Sequence, residues 1–244
     1  MANTLVIFRR EFQAYFSTPL AYVFIVIFLA LTGSLTFYMG NLFGRGQADL
    51  QSFFFFHPWL YLFLIPSVTM RLWAEERKSG TIEVLMTLPV TTTQAVLGKL
   101  LAAWAFVVVA VSLTFPVWIT INYLGDPDNG VIVAGYVGSF LMAGAYLAIG
   151  ACASALTRNQ VIAFIVASAL CFLFLTSGLE IVLAFFRGWA PAFLVDVIAS
   201  MSFLTHFANI AKGVIDLKDL IFFASVIGLA LFVNVAIVEF KKGA

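Results

Sequence analysis

Long stretches of this chain carry no charge. Residues 20–39, 131–156 and 161–178 contain no Asp, Glu, Lys or Arg. Runs of that length leave no polar face for water, whereas an α-helix in lipid satisfies its own backbone groups. About 20 apolar residues suffice to cross a bilayer. Hydrophobic residues make up 63% of the chain and charged ones 10%. Soluble domains carry about 25% charged residues, and the mean hydropathy here is +1.06, so a soluble fold is excluded. The runs are too long and too uniformly apolar for the alternating segments of a β-barrel. The expected fold class is an all-α polytopic membrane protein. A length of 244 residues leaves room for about six helices and no sizeable soluble domain, so residues 1–244 read as one transmembrane domain.

The expected spans are residues 20–39, 53–73, 97–123, 131–156, 161–178 and 220–240. Pro116 is expected to kink the third. No cleavable signal pattern precedes them. Before the first span, Leu5, Phe8, Phe12, Tyr15 and Phe16 recur at helical spacing over residues 1–18. That pattern suits an amphipathic surface helix, and equally the plain cytoplasmic start of span one. Between spans five and six the pattern turns irregular. Glu180, Arg187, Pro191 and Asp196 interrupt residues 179–211. Segments 181–186 and 193–203 suit re-entrant outer half-helices or surface helices.

Lysine and arginine set the orientation. With the N-terminus inside, nine fall inside: Arg9, Arg10, Arg71, Arg77, Lys78, Lys99, Arg158, Lys241 and Lys242. Arg45, Arg187, Lys212 and Lys218 fall outside. An N-in/C-in topology follows.

Chemistry is sparse. No phosphate loop of the form G-x-x-x-x-G-K-[ST] occurs, since Gly98-Lys99 lacks both the upstream glycine and a following Ser or Thr. The chain is therefore expected to bind no ATP by that route, and no cofactor, metal or nucleic acid is expected on it. Lys99, one turn into span three, is expected to snorkel inward. Glu180 is the deepest acidic candidate, as the lining of a substrate path or as a carboxylate already at the outer interface. His57 and His206 are too few for a haem site and read as amphipathic anchors near the outer face. Cys152 and Cys171 read as packing residues. Gly40/Gly44, Gly144/Ala148 and Gly150/Ser154 have the four-residue spacing that lets membrane helices approach closely.

The informative segment is charged. Residues 71–83 read Arg-Leu-Trp-Ala-Glu-Glu-Arg-Lys-Ser-Gly-Thr-Ile-Glu and lie between two apolar runs. Trp73 is an interfacial anchor candidate. Glu75, Glu76, Arg77 and Lys78 extend span two into water, Gly80 breaks that helix, and Thr81 can cap a new one. Ile82, Leu85 and Met86 give the new helix one apolar face beside Glu83, and Pro89 ends it. Residues 74–93 thus read as a lever able to dock on a cytoplasmic partner, or as an ordinary solvated loop.

Residues 69–90 followed by Val96-Leu-Gly-Lys99 resemble the first cytoplasmic loop of ABC-2 type exporter permeases. Residues 156–160 and 206–219 are similar to further segments of that family, and the pattern is closest to its gliding-motility-associated subfamily. The resemblance implies a permease subunit of an exporter in a bacterial inner membrane. It implies a second permease subunit, identical or homologous, and two cytoplasmic ATPase subunits that carry ATP and Mg, with an accessory membrane or periplasmic protein also compatible. Residues 1–18 would be the connecting helix and residues 81–88 the coupling helix. Glu75, Glu76, Arg77, Gly80, Thr81, Ile82, Glu83, Leu85 and Met86 would carry ATPase coupling. The competing reading is a scaffold that transmits force to an extracytoplasmic partner without moving a substrate. A membrane-embedded enzyme is disfavoured by the scarcity of histidines and intramembrane carboxylates.

Overall fold

The computed structural model describes residues 2–81 and 90–241. Among the described residues the regular structure is helical. The elements are α1 (Ala2–Phe16), α2 (Pro19–Ser34), α3 (Gln51–Thr69), α4 (Ala74–Ser79), α5 (Thr92–Ser112), α6 (Phe115–Leu124) and α7 (Asn129–Leu156). They continue with α8 (Gln160–Thr176), α9 (Glu180–Arg187), α10 (Ala192–Ser200), α11 (Phe203–Ala211) and α12 (Leu217–Phe240). A π-helical turn, Leu35–Met39, prolongs α2.

Among the described residues five stretches are long and apolar enough to cross a membrane: Pro19–Met39, Gln51–Ser79, Thr92–Leu124, Asn129–Leu156 and Leu217–Phe240. Two bent pairs raise the number to seven if each is one span. Gln160–Thr176 with Glu180–Arg187 turns through 80°, and Ala192–Ser200 with Phe203–Ala211 through 55°.

Helix α7 is the axis of the molecule. It packs against α12, α8, α3, α11 and α5, and 78% of its apolar window is buried, against 17% for α12 and 28% for α2. Its inward residues alternate small with large, Ala143 and Ala145 beside Met142, Tyr146 and Leu147, all shut off from the surface. Small residues admit neighbours at short range. A Cβ on Gly150 would fall 2.1 Å from Thr69 Oγ1, and one on Gly144 would fall 2.9 Å from Trp104. The Gly40/Gly44 pair has the same spacing but a different role. Gly40 meets Ser52, while a Cβ on Gly44 would strike Asn41 in its own turn, where Asn41 itself has φ 46°.

Local sequence explains the helix ends. Pro19 occupies the first turn of α2 behind an extended Thr18, which separates α1 from the first span. Helix α1 nevertheless lies along α5. The expected kink at Pro116 is a break: α5 ends at Ser112 and α6 restarts with Pro116 in its first turn. Asp128 caps α7 by accepting from Gly130 N and Val131 N, and Asn159 caps α8 through Val161 N.

Two expectations are corrected. The region 179–211 holds three short helices in place of two half-helices, because Ser202 stops α10 and caps α11 by accepting from Thr205 N. Span two does not run unbroken into the stalk. Its α-helix ends at Thr69, a turn follows over residues 70–73, and α4 then begins.

Candidate functional site

The described part of the charged segment is a clamped joint. Its start is fixed by Ser154 of α7. The Ser154 hydroxyl accepts from the backbone N–H of Trp73 (3.0 Å) and of Ala74 (3.1 Å) and donates to the carbonyl of Met70 (3.0 Å). A helix would send those two N–H groups to the carbonyls of residues 69 and 70. Ser154 diverts them, and the chain turns at that point. Trp73 is fully buried, so it is a core residue and the expected interfacial anchor is corrected. Helix α4 ends at Gly80, whose φ of 76° and ψ of 0° belong to the left-handed region that glycine enters without a Cβ penalty.

One face of α4 carries Glu76 into an ion cluster. Glu76 Oε1 accepts from Lys99 Nζ at 2.7 Å, and Lys99 Nζ lies 3.3 Å from Glu11 Oε1. Arg10 reaches Glu11 at 2.7 Å. The Lys99 side chain is 3% exposed, and those of Glu11 and Glu76 are each 18% exposed. Lys99 therefore does not snorkel to water. Two carboxylates from two other helices come to it, and the Trp73 ring lies 5.3 Å from its ammonium, a cation–π distance.

Register makes this meeting possible. A capping box fixes the start of α5: Thr91 Oγ1 accepts from Gln94 N, and Gln94 Oε1 accepts from Thr91 N. Gly98 follows, where a Cβ would lie 2.7 Å from Ile7 of α1. One turn beyond Ile7 is Glu11, opposite Lys99, and one turn further Tyr15 stacks on Phe106 at 4.9 Å. Helices α1 and α5 thus run parallel with Glu11 held inward. Burial raises the pKa of Glu11, but the charge of Lys99 and then the hydrogen bond and charge of Arg10 outweigh it and hold the carboxyl below its ordinary value.

The next residue of α4 grips α7. Arg77 Nη1 donates to the Ala155 carbonyl at 2.6 Å, and Lys241, just after α12, donates to the Leu156 carbonyl. Two cations therefore close the C-terminal end of the central helix, where carbonyls lack partners and the dipole is negative. Arg71 pairs with Glu75 at 2.9 Å across one turn.

Of the residues expected to couple to an ATPase, Glu75, Glu76, Arg77, Gly80 and Thr81 are placed at this joint. Ile82, Glu83, Leu85 and Met86 lie outside the described residues, 82–89 being undescribed. Glu180 opens α9, is exposed, and is ion-paired with Arg187.

Both histidines correct their expectation, because both are buried. His57 meets Ser139 Oγ through Nδ1 at 2.8 Å, and Tyr61 meets the same hydroxyl at 2.6 Å. His206 Nδ1 lies 2.5 Å from Asp219 Oδ1, and its Nε2 donates to the Ser200 carbonyl at 2.9 Å. The histidines are internal ties between helices. Cys152 and Cys171 are buried and free. Among the described residues no group of three or more His, Cys, Asp or Glu could hold a metal ion.

This arrangement can pass movement from the segment that follows Gly80 into the helix bundle. Residues 5–188 match the family model described as ABC-2 family transporter protein. The chain belongs to the ABC-2 transporter family. The match runs from α1 to the end of α9 and includes the whole cluster of Glu11, Glu76 and Lys99. No curated protein matches the chain. Membership in the ABC-2 family makes it a multi-pass membrane component of an ABC transporter, whose ATPase is a partner.

Proposed function

We propose that this chain is the permease subunit of an ABC-2 exporter in a bacterial inner membrane, driven by a separate cytoplasmic ATPase that holds ATP and Mg. Six spans place both termini inside. A second permease subunit, identical or homologous, completes the translocation unit above two ATPase subunits. The segment 74–93 receives the ATPase, with residues 81–88 as the docking helix. The likeness to the gliding-motility-associated subfamily supports the same assignment and names no substrate.

The observation that carries the proposal is the clamp on α4. One short helix after span two is tied to α1 and α5 through Glu76 and Lys99, and to α7 through Arg77 and Ser154. A load applied beyond Gly80 therefore reaches three further helices at once. A solvated loop has no need of a buried lysine between two carboxylates.

The test uses the docking helix. Leu85→Glu is expected to abolish co-purification of the ATPase and its turnover with the permease, while the permease keeps its thermal unfolding temperature. Normal binding and turnover in that variant would refute the coupling assignment.

The dense packing around Met142, Tyr146 and Leu147 favours a second reading, transmission of force to an extracytoplasmic partner without transport. Reconstituted vesicles that hydrolyse ATP yet move no lipid, drug or ion would support it, and robust translocation would refute it.

A further inference from the structure

A cleft of about 470 Å3 opens between α1, α2, α3 and α4 beside the ion cluster. Its two ends differ in chemistry. Glu11, Glu75 and Glu76 line one end together with Arg71 and Lys99, which leaves one net negative charge there. Val23, Ile27 and Leu64 line the other, along the flank of the first two spans. The polar end sits where the stalk leaves span two. The apolar end runs alongside residues that would face lipid, Val23 being 53% and Ile27 43% exposed.

Two polar groups at this end have capacity left. Glu76 Oε1 is bonded to Lys99, but Glu76 Oε2 is buried without a hydrogen-bond partner. A carboxylate oxygen buried in that way lacks an N–H or O–H donor. Arg71 spends Nε and Nη2 on Glu75, and its Nη1 remains for an anion at the rim.

We propose that this cleft holds an inner-leaflet phospholipid with a primary ammonium headgroup. The ammonium turns its N–H donors toward Glu76 and Glu75, the phosphate meets Arg71, and one acyl chain lies along Val23, Ile27 and Leu64. Charge selects the occupant: a purely anionic headgroup meets three carboxylates, and a quaternary ammonium has no N–H to give. A soluble amine would leave the apolar half unfilled. The inference rests on the membrane-permease reading. It adds a lipid that ties the first two spans to the stalk joint, with no requirement that this lipid be transported.

The experiment uses the full-length permease without its ATPase. The chain is reconstituted in vesicles of equal phosphatidylethanolamine, phosphatidylcholine and phosphatidylglycerol and extracted in mild detergent. Retained lipid is then quantified by native mass spectrometry. One phosphatidylethanolamine per chain is expected, enriched about tenfold over phosphatidylcholine, the ratio one charge-assisted hydrogen bond supplies. Val23→Trp fills the cleft and should bring retention to background. Val26→Trp, equally on the exposed surface of α2 but not lining the cleft, should retain the lipid and so controls for folding. Equal retention of all three headgroups, retention unchanged in Val23→Trp, or a lipid-free dimer occupying the groove would overturn the proposal. Because no ATPase takes part, failure here and failure of ATPase coupling are read separately.

Discussion

Replacing Lys99 by methionine tests the joint at its centre. The substitution keeps most of the side-chain volume and removes the charge. Glu11 Oε1 and Glu76 Oε1 then lose the ammonium that holds both, at 3.3 Å and 2.7 Å. Those arms leave the two oxygens no more than about 6 Å apart, where like charges repel by about 3 kcal/mol at an effective dielectric of 20. Removing one partner of a buried pair costs about 3–5 kcal/mol. Arg10, which bonds Glu11 and lies 4.0 Å from Glu76, offsets part of this, so about 2–3 kcal/mol is expected. Helix α1 should bear most of the loss, since its polar tie to α5 runs through Glu11. Hydrogen exchange reads this directly: amides of α1 should lose protection about 100-fold, while those of α7 stay unchanged. Lys99→Met combined with Glu11→Gln should recover at least half of the loss by removing the repulsion. Protection of α1 within about threefold of the wild type would refute the idea that the cluster holds α1 to the bundle.

Ser154→Ala leaves the N–H groups of Trp73 and Ala74 without their acceptor, and should lower stability by about 2–4 kcal/mol in detergent unfolding; a loss under about 0.5 kcal/mol would mean that the turn re-forms ordinary helical bonds. Gly150→Ala drives a methyl group into Thr69 and should cost about 1–3 kcal/mol, with Thr69→Ala in the same chain recovering part of it. The depressed pKa of Glu11 sets an acid limit: its contribution is complete above the ordinary carboxylate value of 4.5 and is lost as pH falls through the lower folded value. Exchange protection in α1, corrected for intrinsic rates, should therefore hold from neutrality down to pH 4.5 and decline below it as pH falls toward the folded value.

Five of the six expected spans were legible because hydropathy belongs to one residue run at a time, while the run 161–178 falls in the bent pair of α8 and α9. Residues 131–156 and 220–240 were expected to span, and Asn129–Leu156 and Leu217–Phe240 are helices. Legibility failed where a residue's role depends on distant chain. Lys99 in isolation looks like a snorkelling lysine, since nothing in its neighbourhood reveals Glu76, 23 residues earlier, or Glu11 on the first helix. The break after Thr69 depends on a hydroxyl 81 positions beyond Trp73. His206 and Asp219 meet across the turn between α11 and α12, at a spacing of 13 that belongs to no helical period. Four-residue spacing of small residues was a real signal at Gly150 and Ser154. At Gly40 and Gly44 the same spacing falls in a turn, because the pattern records size and says nothing about whether the chain is still helical.

The two caps at the end of α7 also impose an order of assembly. Synthesis delivers the N-terminal parts first. Arg77 is already present when Ala155 emerges, so that carbonyl can be closed as soon as α7 is in place. Leu156 must wait for Lys241, 85 residues later, and therefore for the last span to be inserted. Until then the C-terminal end of the axial helix keeps one open carbonyl beside the stalk joint. The joint is closed only once the last span is in place, and a chain that stops before Lys241 carries it with one cap missing.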